Sequence, residues 1–375
     1  MSWEQVRRWR MHRNALSGPD QRTVSDLVAD LGGMQAQVLS AAELGLGARL
    51  PAWTQRDVQQ ALWEQRILVK TYGPRGTLHL LPAVDLPKWM AAMRARQDPQ
   101  GDAWQVSGIG QQQGGALVEA IGSALTSRCL TRQELADEVA ARVGEWAREP
   151  MMSGWGLLLP PAAYAGLLCY GPSRGTKVTF VRADEWVPGN WECSGRAGLQ
   201  HVLRCFLTGF GPATVQDFAK WFGLRPEQSR QLFESLDDLV AVDVEGRTGW
   251  LVSADVPAAT EHRPAAPPRL LPQYDCYVLG SHPRDQILPA VARTRVFSYR
   301  RGRYEGAAAL NVLVIDGRIA GIWERERRGR HLHLRLEPFV EIDQCLSDAL
   351  AEQAGGIADF LESEHTLSIG KLNAS

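Results

Sequence analysis

The sequence predicts an α+β chain of three tandem winged-helix units followed by a small C-terminal β-barrel. Three observations predict it. A local pattern of helices, a turn, a longer helix and two strands around a glycine turn recurs three times. A proline-rich break, VPAATEHRPAAPPR (256–269), ends the series. Beyond it, short segments alternate apolar and polar residues around turn signals, as antiparallel strands do. The implied boundaries are 1–100, 101–190 and 191–260 for the three units and 261–375 for the barrel.

The first copy starts at TVSDLVADLGG (23–33), passes through MQAQVL (34–39) to the helical TQRDVQQALWEQR (54–66), and closes with ILVKTYGPRGTLHLLP (67–82), a hairpin turning at Gly73–Pro74–Arg75–Gly76. In the second, ALVEAIGSALT (116–126) is helical and TRQELADEVAARVG (131–144) opens on a Thr131/Glu134 capping box. A third helix over 153–171 is interrupted by Pro160–Pro161, and TKVTFVR (176–182) supplies a wing strand. The third copy is clearest. HVLRCFLTGF (201–210) is a helix, and Thr214 caps the next, whose apolar Val215, Phe218, Ala219 and Phe222 keep helical spacing. Gly223 ends that helix, Pro226 starts another at RPEQSRQLFESL (225–236), and LVAVDV–EGRTG–WLVSA reads as strand, turn, strand. In the C-terminal region VFSY (296–299), ALNVLVIDGRIAGIWERE (309–326) and HLHLRL (331–336) are expected strands. Asp316–Gly317 signals a type I′ turn, Arg328–Gly329–Arg330 a second turn, and an acidic helix follows over 343–363.

At 375 residues and 45% hydrophobic, the chain is long enough for several domains. No apolar run approaches the roughly 20 residues a membrane helix needs, and MSWEQVRRWRMHR lacks an apolar signal core. A cytoplasmic location and six reduced cysteines without a CxxC are expected. The net charge of −1 hides an asymmetry. Residues 284–335 hold 12 arginines against 5 acids, residues 336–375 hold 8 acids against Lys371, and the first 13 residues hold 4 arginines and one glutamate. Clustered arginine suits phosphate and base contacts; a solvated hairpin beside an acidic helix explains the same counts.

The common catalytic signatures are missing from the sequence: no G-x-x-x-x-G-K-[ST] run and no G-x-S-x-G elbow. His331 and His333 share a strand face but have no third ligand at metal spacing, so no metal is expected. In RGTLHLLP (75–82), alternation places Arg75, Thr77 and His79 outward, on a face that is either solvated or in contact with phosphates. In GGMQAQVL (32–39), Gln35 and Gln37 would lie about 200° apart on a continuous helix. Two glycines make continuity costly, by roughly 2 kcal/mol. An extended segment instead puts both amides on one side, with Ala36 turned to the core. Such a pair can hold a water and aim a lone pair, and an ordinary polar turn has the same residues.

QAQ after Gly-Gly, RGTLHLLP, FGPATVQDFAKWFGL, LLPQYDCYVLG and VLVIDGRIAGIW, in this order over nearly the whole chain, resemble the winged-helix bacterial DNA glycosylase family. The likeness is to its antibiotic self-resistance branch, which includes an azinomycin-resistance glycosylase. The resemblance implies a C-shaped DNA channel and a Gln–hydrophobic–Gln catalytic motif, here Gln35 and Gln37. It implies a monofunctional, cofactor-free glycosylase acting as a monomer on double-stranded DNA that carries N7-alkylguanine, bulky adducts or interstrand crosslinks. DNA contacts are then expected from Arg75, Thr77 and His79 and from the arginine-rich segment: Arg284, Arg300, Arg301, Arg303, Arg325, Arg327, Arg328 and Arg330. A non-catalytic winged-helix regulator is the alternative.

Overall fold

In a computed structural model, residues 1–96, 108–152, 158–299 and 306–373 are described. The fold is mixed α+β, and the chain divides into two compact units. One contains Met1–Gln59, Arg204–Trp221 and Arg225–Ser375; the other contains Gln60–Leu203 and Phe222–Leu224.

The first unit begins with α1 (Trp3–Arg13) and α2 (Val24–Asp30). β1 (Met34–Gln35), α3 (Leu39–Gly47) and the start of α4 (Gln55–Trp63) follow. An aromatic cluster lies in its middle segment, where Phe206 has ring centroids 5.7 Å from Phe210 and 4.9 Å from Trp221. The helix Val215–Phe222 begins where expected: Thr214 Oγ1 accepts from the Asp217 amide at 3.1 Å, and the Asp217 carboxylate accepts from the Thr214 amide at 3.0 Å.

A five-stranded sheet carries the C-terminal part of this unit. β9 (Arg269–Leu271), β10 (Asn311–Ile315), β11 (Arg318–Arg328) and β12 (His331–Pro338) pair antiparallel in sequence order, and β13 (Glu364–Ile369) joins β12 in parallel. Asp316 (φ 44°) and Gly317 (φ 77°) form the two-residue turn between β10 and β11, as a type I′ turn requires. Gly329 (φ 61°) opens the turn from β11 to β12. One face of the sheet packs Leu271, Val312, Val314 and Ile322 against Met11 and Leu16 and against Tyr277.

Two expectations for this region are corrected. The sheet is open, with β9 and β13 as its edges, so it closes no barrel. β9 spans only three residues, and the helix Gln344–Phe360 packs on both β9 and β13, covering the edges that closure would have joined. Residues 296–299, expected as a strand, end the helix Ala290–Tyr299. Val296 is buried there in the same core as Ala292, four residues earlier, which is helical and not strand spacing.

In the second unit β2 (Leu68–Tyr72) and β3 (Leu78–Pro82) form the expected hairpin, closed by Gly73 N–H donating to Thr77 at 2.8 Å. β4 (Leu130–Thr131), β5 (Cys169–Arg174) and β6 (Lys177–Val181) make a second sheet in the order β4-β6-β5. Thr131 and Glu134 form the predicted reciprocal capping box. Of the third helix expected over 153–171, residues 153–157 lie outside the described residues; Pro160–Tyr164 is helical, and residues 169–171 start β5. Among the described residues no helix is long and apolar enough to cross a membrane.

Candidate functional site

The glycine pair ends α2 and reorients the chain. Leu31 caps the helix, Gly32 N–H donates to Ala29 and Gly33 N–H to Val28, so the orphan carbonyls are satisfied by residues at φ 65° and 86°. A Cβ on Gly32 would also come within 3.0 Å of the Trp221 ring. The chain leaves this turn extended. Met34 and Gln35 form β1, Ala36 is fully buried, and α3 starts only at Leu39. Gln35 is 7% exposed, whereas Gln37 is exposed. The two amides are thus unlike in environment: one is held within the fold, and one is offered to solvent.

Behind the motif, α3 is anchored by charge. Arg49, just past its end, donates from Nη1 to Gly45 O at 2.7 Å and makes a two-pronged pair with Asp275 at 2.8 and 2.9 Å, both side chains fully buried. Burial opposes the Arg49 charge, but the Asp275 carboxylate outweighs it and raises the guanidinium pKa. Gly45 permits this packing, since a Cβ there would lie 2.6 Å from Met34 Cε and 3.3 Å from Asp275 Oδ2. Glu43, in the same helix and 2% exposed, accepts from the Gln55 amide at 2.6 Å and the Gln59 amide at 3.4 Å. The motif therefore leads into a helix fixed at both its middle and its end. Motif reasoning missed Glu43 and Arg49; a single acid within the apolar LSAAELGLG was the available signal.

The remaining expected residues fall into four groups. Arg300, Arg301 and Arg303 lie outside the described residues. Arg327, Arg328 and Arg330 stand exposed at the β11–β12 tip, Arg328 pairing with Glu326 at 2.9 Å, while Arg325 is half-buried lower on β11. Arg284 donates to Leu279 O at 2.9 Å. In the second unit, β3 is buried on both faces, so the outward face expected for Arg75, Thr77 and His79 does not form. His79 is 4% exposed, lies against Gly73 and donates from Nδ1 to Thr77 O at 2.9 Å. Burial, with Arg75 adding to it, pulls its pKa down to about 3, so the ring is neutral. Arg75 and Thr77 are half-buried in the turn, Arg75 at φ 59°. Among the described residues no group of three or more His, Cys, Asp or Glu converges as metal ligands do.

A family model described as "DNA glycosylase AlkZ-like" matches residues 28–360. The chain is 31% identical over 365 residues to an "Interstrand DNA cross-link repair glycosylase" of Streptomyces sahachiroi, covering 95% of this chain and 96% of the relative. The solved structure of the Streptomyces sahachiroi DNA glycosylase AlkZ superposes with a TM-score of 0.85 at 31% identity, over 99% of this chain and 100% of that one.

Proposed function

Since the chain belongs to the AlkZ-like DNA glycosylase family and is thus a hydrolase of N-glycosyl bonds, we propose that it excises N7-alkylguanine from double-stranded DNA with Gln35 and Gln37 as its catalytic pair. Interstrand crosslinks are the substrate that its Streptomyces relative suggests, and we extend the proposal to bulky N7 adducts. The observation that carries this reading is the Gly32–Gly33 break, after which the chain runs through β1 and buried Ala36 to an exposed Gln37 in the bend before α3.

The substrate's own charge accounts for amides at this position. An N7-alkylguanine is cationic, so its departure from C1′ needs no general acid. Water attacks C1′, the C1′–N9 bond breaks, and its electron pair neutralises the leaving base; the water's proton passes to solvent. What the protein must supply is a placed water and dipoles facing an oxocarbenium-like sugar. Gln37, which solvent reaches, is assigned the water; Gln35, held in the fold, is assigned the sugar. We read the helix-and-hairpin repeats as winged-helix units that follow the duplex. Arg327, Arg328 and Arg330 are assigned to its minor groove, where arginine fits a narrow negative channel.

The test uses duplex DNA with a single N7-methylguanine and no added metal or cofactor. Abasic sites form with wild-type protein, and Gln37→Ala slows single-turnover release by about 10²–10³-fold, as loss of one preorganised polar group does elsewhere. An undiminished rate in the Gln35→Ala/Gln37→Ala double variant would remove the pair from the mechanism.

A further inference from the structure

An open cleft of about 430 Å³ lies beside α3, lined by Ala41, Gln273, Asn311, Glu324, Arg325 and Arg335 among others. Its walls belong to the same unit as Gln35 and Gln37, and Ala41 follows Gln37 by four residues. Its lining holds two glutamates and two arginines, but their pairing leaves one arginine over. Glu324 is taken by Arg335 at 2.7 Å, and Glu326 by Arg328 at 2.9 Å. Asn311 is occupied on both ends, accepting from Gln273 N–H at 2.9 Å and donating to Trp323 O at 3.2 Å. Glu43 already receives the Gln55 and Gln59 amides and acts on Arg325 only through space.

Arg325 is what remains. Among the described residues it has neither a hydrogen-bond acceptor nor an ion-pair partner, and it is half-buried, so part of its hydration is lost. Desolvation lowers its pKa; Glu43 opposes this and Arg327 adds to it. A guanidinium presents five donors in a planar fork and stays charged. Leaving it desolvated and unmatched is costly unless an anion arrives, and a phosphate oxygen pair fits the fork. The cleft is open and polar, with room for such a group. α3, a nine-residue helix whose N-cap Val38 provides no side-chain acceptor, adds its uncapped first turn on the Ala41 side.

We propose that this cleft holds one phosphodiester of the damaged strand, gripped by Arg325, and that Arg325 is a positioning residue registering that strand to Gln35 and Gln37. It differs from the arginines of the hairpin tip in place and in task. The tip arginines add affinity wherever the duplex lies. A phosphate bound beside α3 sets the distance from the backbone to the catalytic pair, because the cleft and the pair belong to one compact unit and Ala41 in its wall follows Gln37 by four residues. The positioning half of the proposal rests on the Gln35/Gln37 reading; the binding half stands without it.

The experiment separates the two. Duplexes with a tetrahydrofuran abasic analogue receive one neutral methylphosphonate at a time, stepped along both strands, and Kd is measured for wild type, Arg325→Met and Arg325→Lys. One position within a few nucleotides of the analogue should weaken wild-type binding about 10-fold or more, the size of one charged hydrogen bond removed. The same substitution should change Arg325→Met less than about 2-fold, and Arg325→Lys should fall between. If every methylphosphonate acts equally on wild type and Arg325→Met, the proposal is overturned. Should Arg325→Met not fold, the wild-type and Arg325→Lys arms alone must show the same single-position coupling. With N7-methylguanine at saturating DNA, Arg325→Met should then lower the single-turnover rate as well as affinity. A loss that grows with the size of the N7 substituent and ignores the methylphosphonates would place the lesion in the cleft and sink the proposal. A wild-type protein that releases no base, yet shows the single-position coupling, would refute the catalytic assignment while leaving the phosphate site intact.

Discussion

Two arginine clusters in the same unit, in α1 and at the β11–β12 tip, have nearly the same composition and opposite fates. In α1, Arg8 pairs with Asp316 at 3.0 Å, Arg13 with Asp30 at 3.3 Å, and Arg7 is 5% exposed. Arg10, 1% exposed, donates to His282 O at 2.8 Å and Pro212 O at 2.7 Å. Burial pulls the Arg10 guanidinium down to about 10, and it remains charged at neutral pH. At the tip, Arg327, Arg328 and Arg330 stand in solvent. What separates the clusters is the set of carbonyls and carboxylates that meet them. α1 lies on the core and brings Arg8, Arg10 and Arg13 to carbonyls and acids of other segments, whereas at the tip Arg327 donates to Gly329 O at 3.1 Å and Arg328 pairs with Glu326, contacts made within the hairpin itself. On the proposed function, local charge density then marks a DNA surface only where the fold leaves it exposed and without long-range partners.

The sharpest test of this contrast is removal of a buried guanidinium. Arg49→Met strands the Asp275 carboxylate in the core and should cost about 3–5 kcal/mol, read as a lowered denaturant midpoint. Arg10→Met leaves two buried carbonyls without donors, for about 2 kcal/mol or more.

Acid provides a second way to break it. Burial first, with nearby arginines adding, holds both His79 and His282 down to about 3 in the folded protein. The unfolded chain protonates near 6.5, so it takes up protons first as pH falls, and stability declines from about pH 6.5 towards 3. At pH 5 each ring should account for about 2 kcal/mol of the loss relative to pH 7. His79→Gln should flatten that part of the profile; an equally steep profile would contradict the buried neutral ring.

The smallest effect on stability belongs to the tip. Arg327→Ala, Arg328→Ala and Arg330→Ala should each change unfolding free energy by less than about 0.5 kcal/mol, as exposed substitutions do. Together they should weaken DNA binding and lower the slope of log K against log salt by about 0.9 for each phosphate no longer neutralised. A large stability loss here, or an unchanged salt slope, would erase the distinction between the clusters.

Much of the fold was legible where a single residue has one physical use. The Thr131 and Thr214 caps, the Asp316–Gly317 turn and the Gly32–Gly33 break all follow from local backbone chemistry, and all are present. Readings that required knowing what lies opposite failed. Strand alternation put His79 outward, but β3 is covered on both faces. The segment 296–299 has strand-like residues, yet it finishes a helix that buries Val296 with Ala292. Apolar alternation in 309–336 predicted the strands but could not tell an open sheet from a barrel, because closure depends on the edges, and a helix covers them.

The candidate site divides the same way. The break of the helix ahead of the two amides was readable from Gly-Gly, because two glycines at positive φ interrupt any helix. The sequence by itself thus determined that Gln35 and Gln37 leave a turn with Ala36 turned inward. Only the tertiary structure decided that Gln35 is enclosed and Gln37 exposed, that Glu43 and Arg49 brace the helix behind them, and that Arg325 lines the adjoining cleft with no acceptor among the described residues. The physical reason is range. Backbone conformation is settled within a few residues, whereas burial and charge pairing depend on partners more than two hundred residues away, as Asp275 is from Arg49.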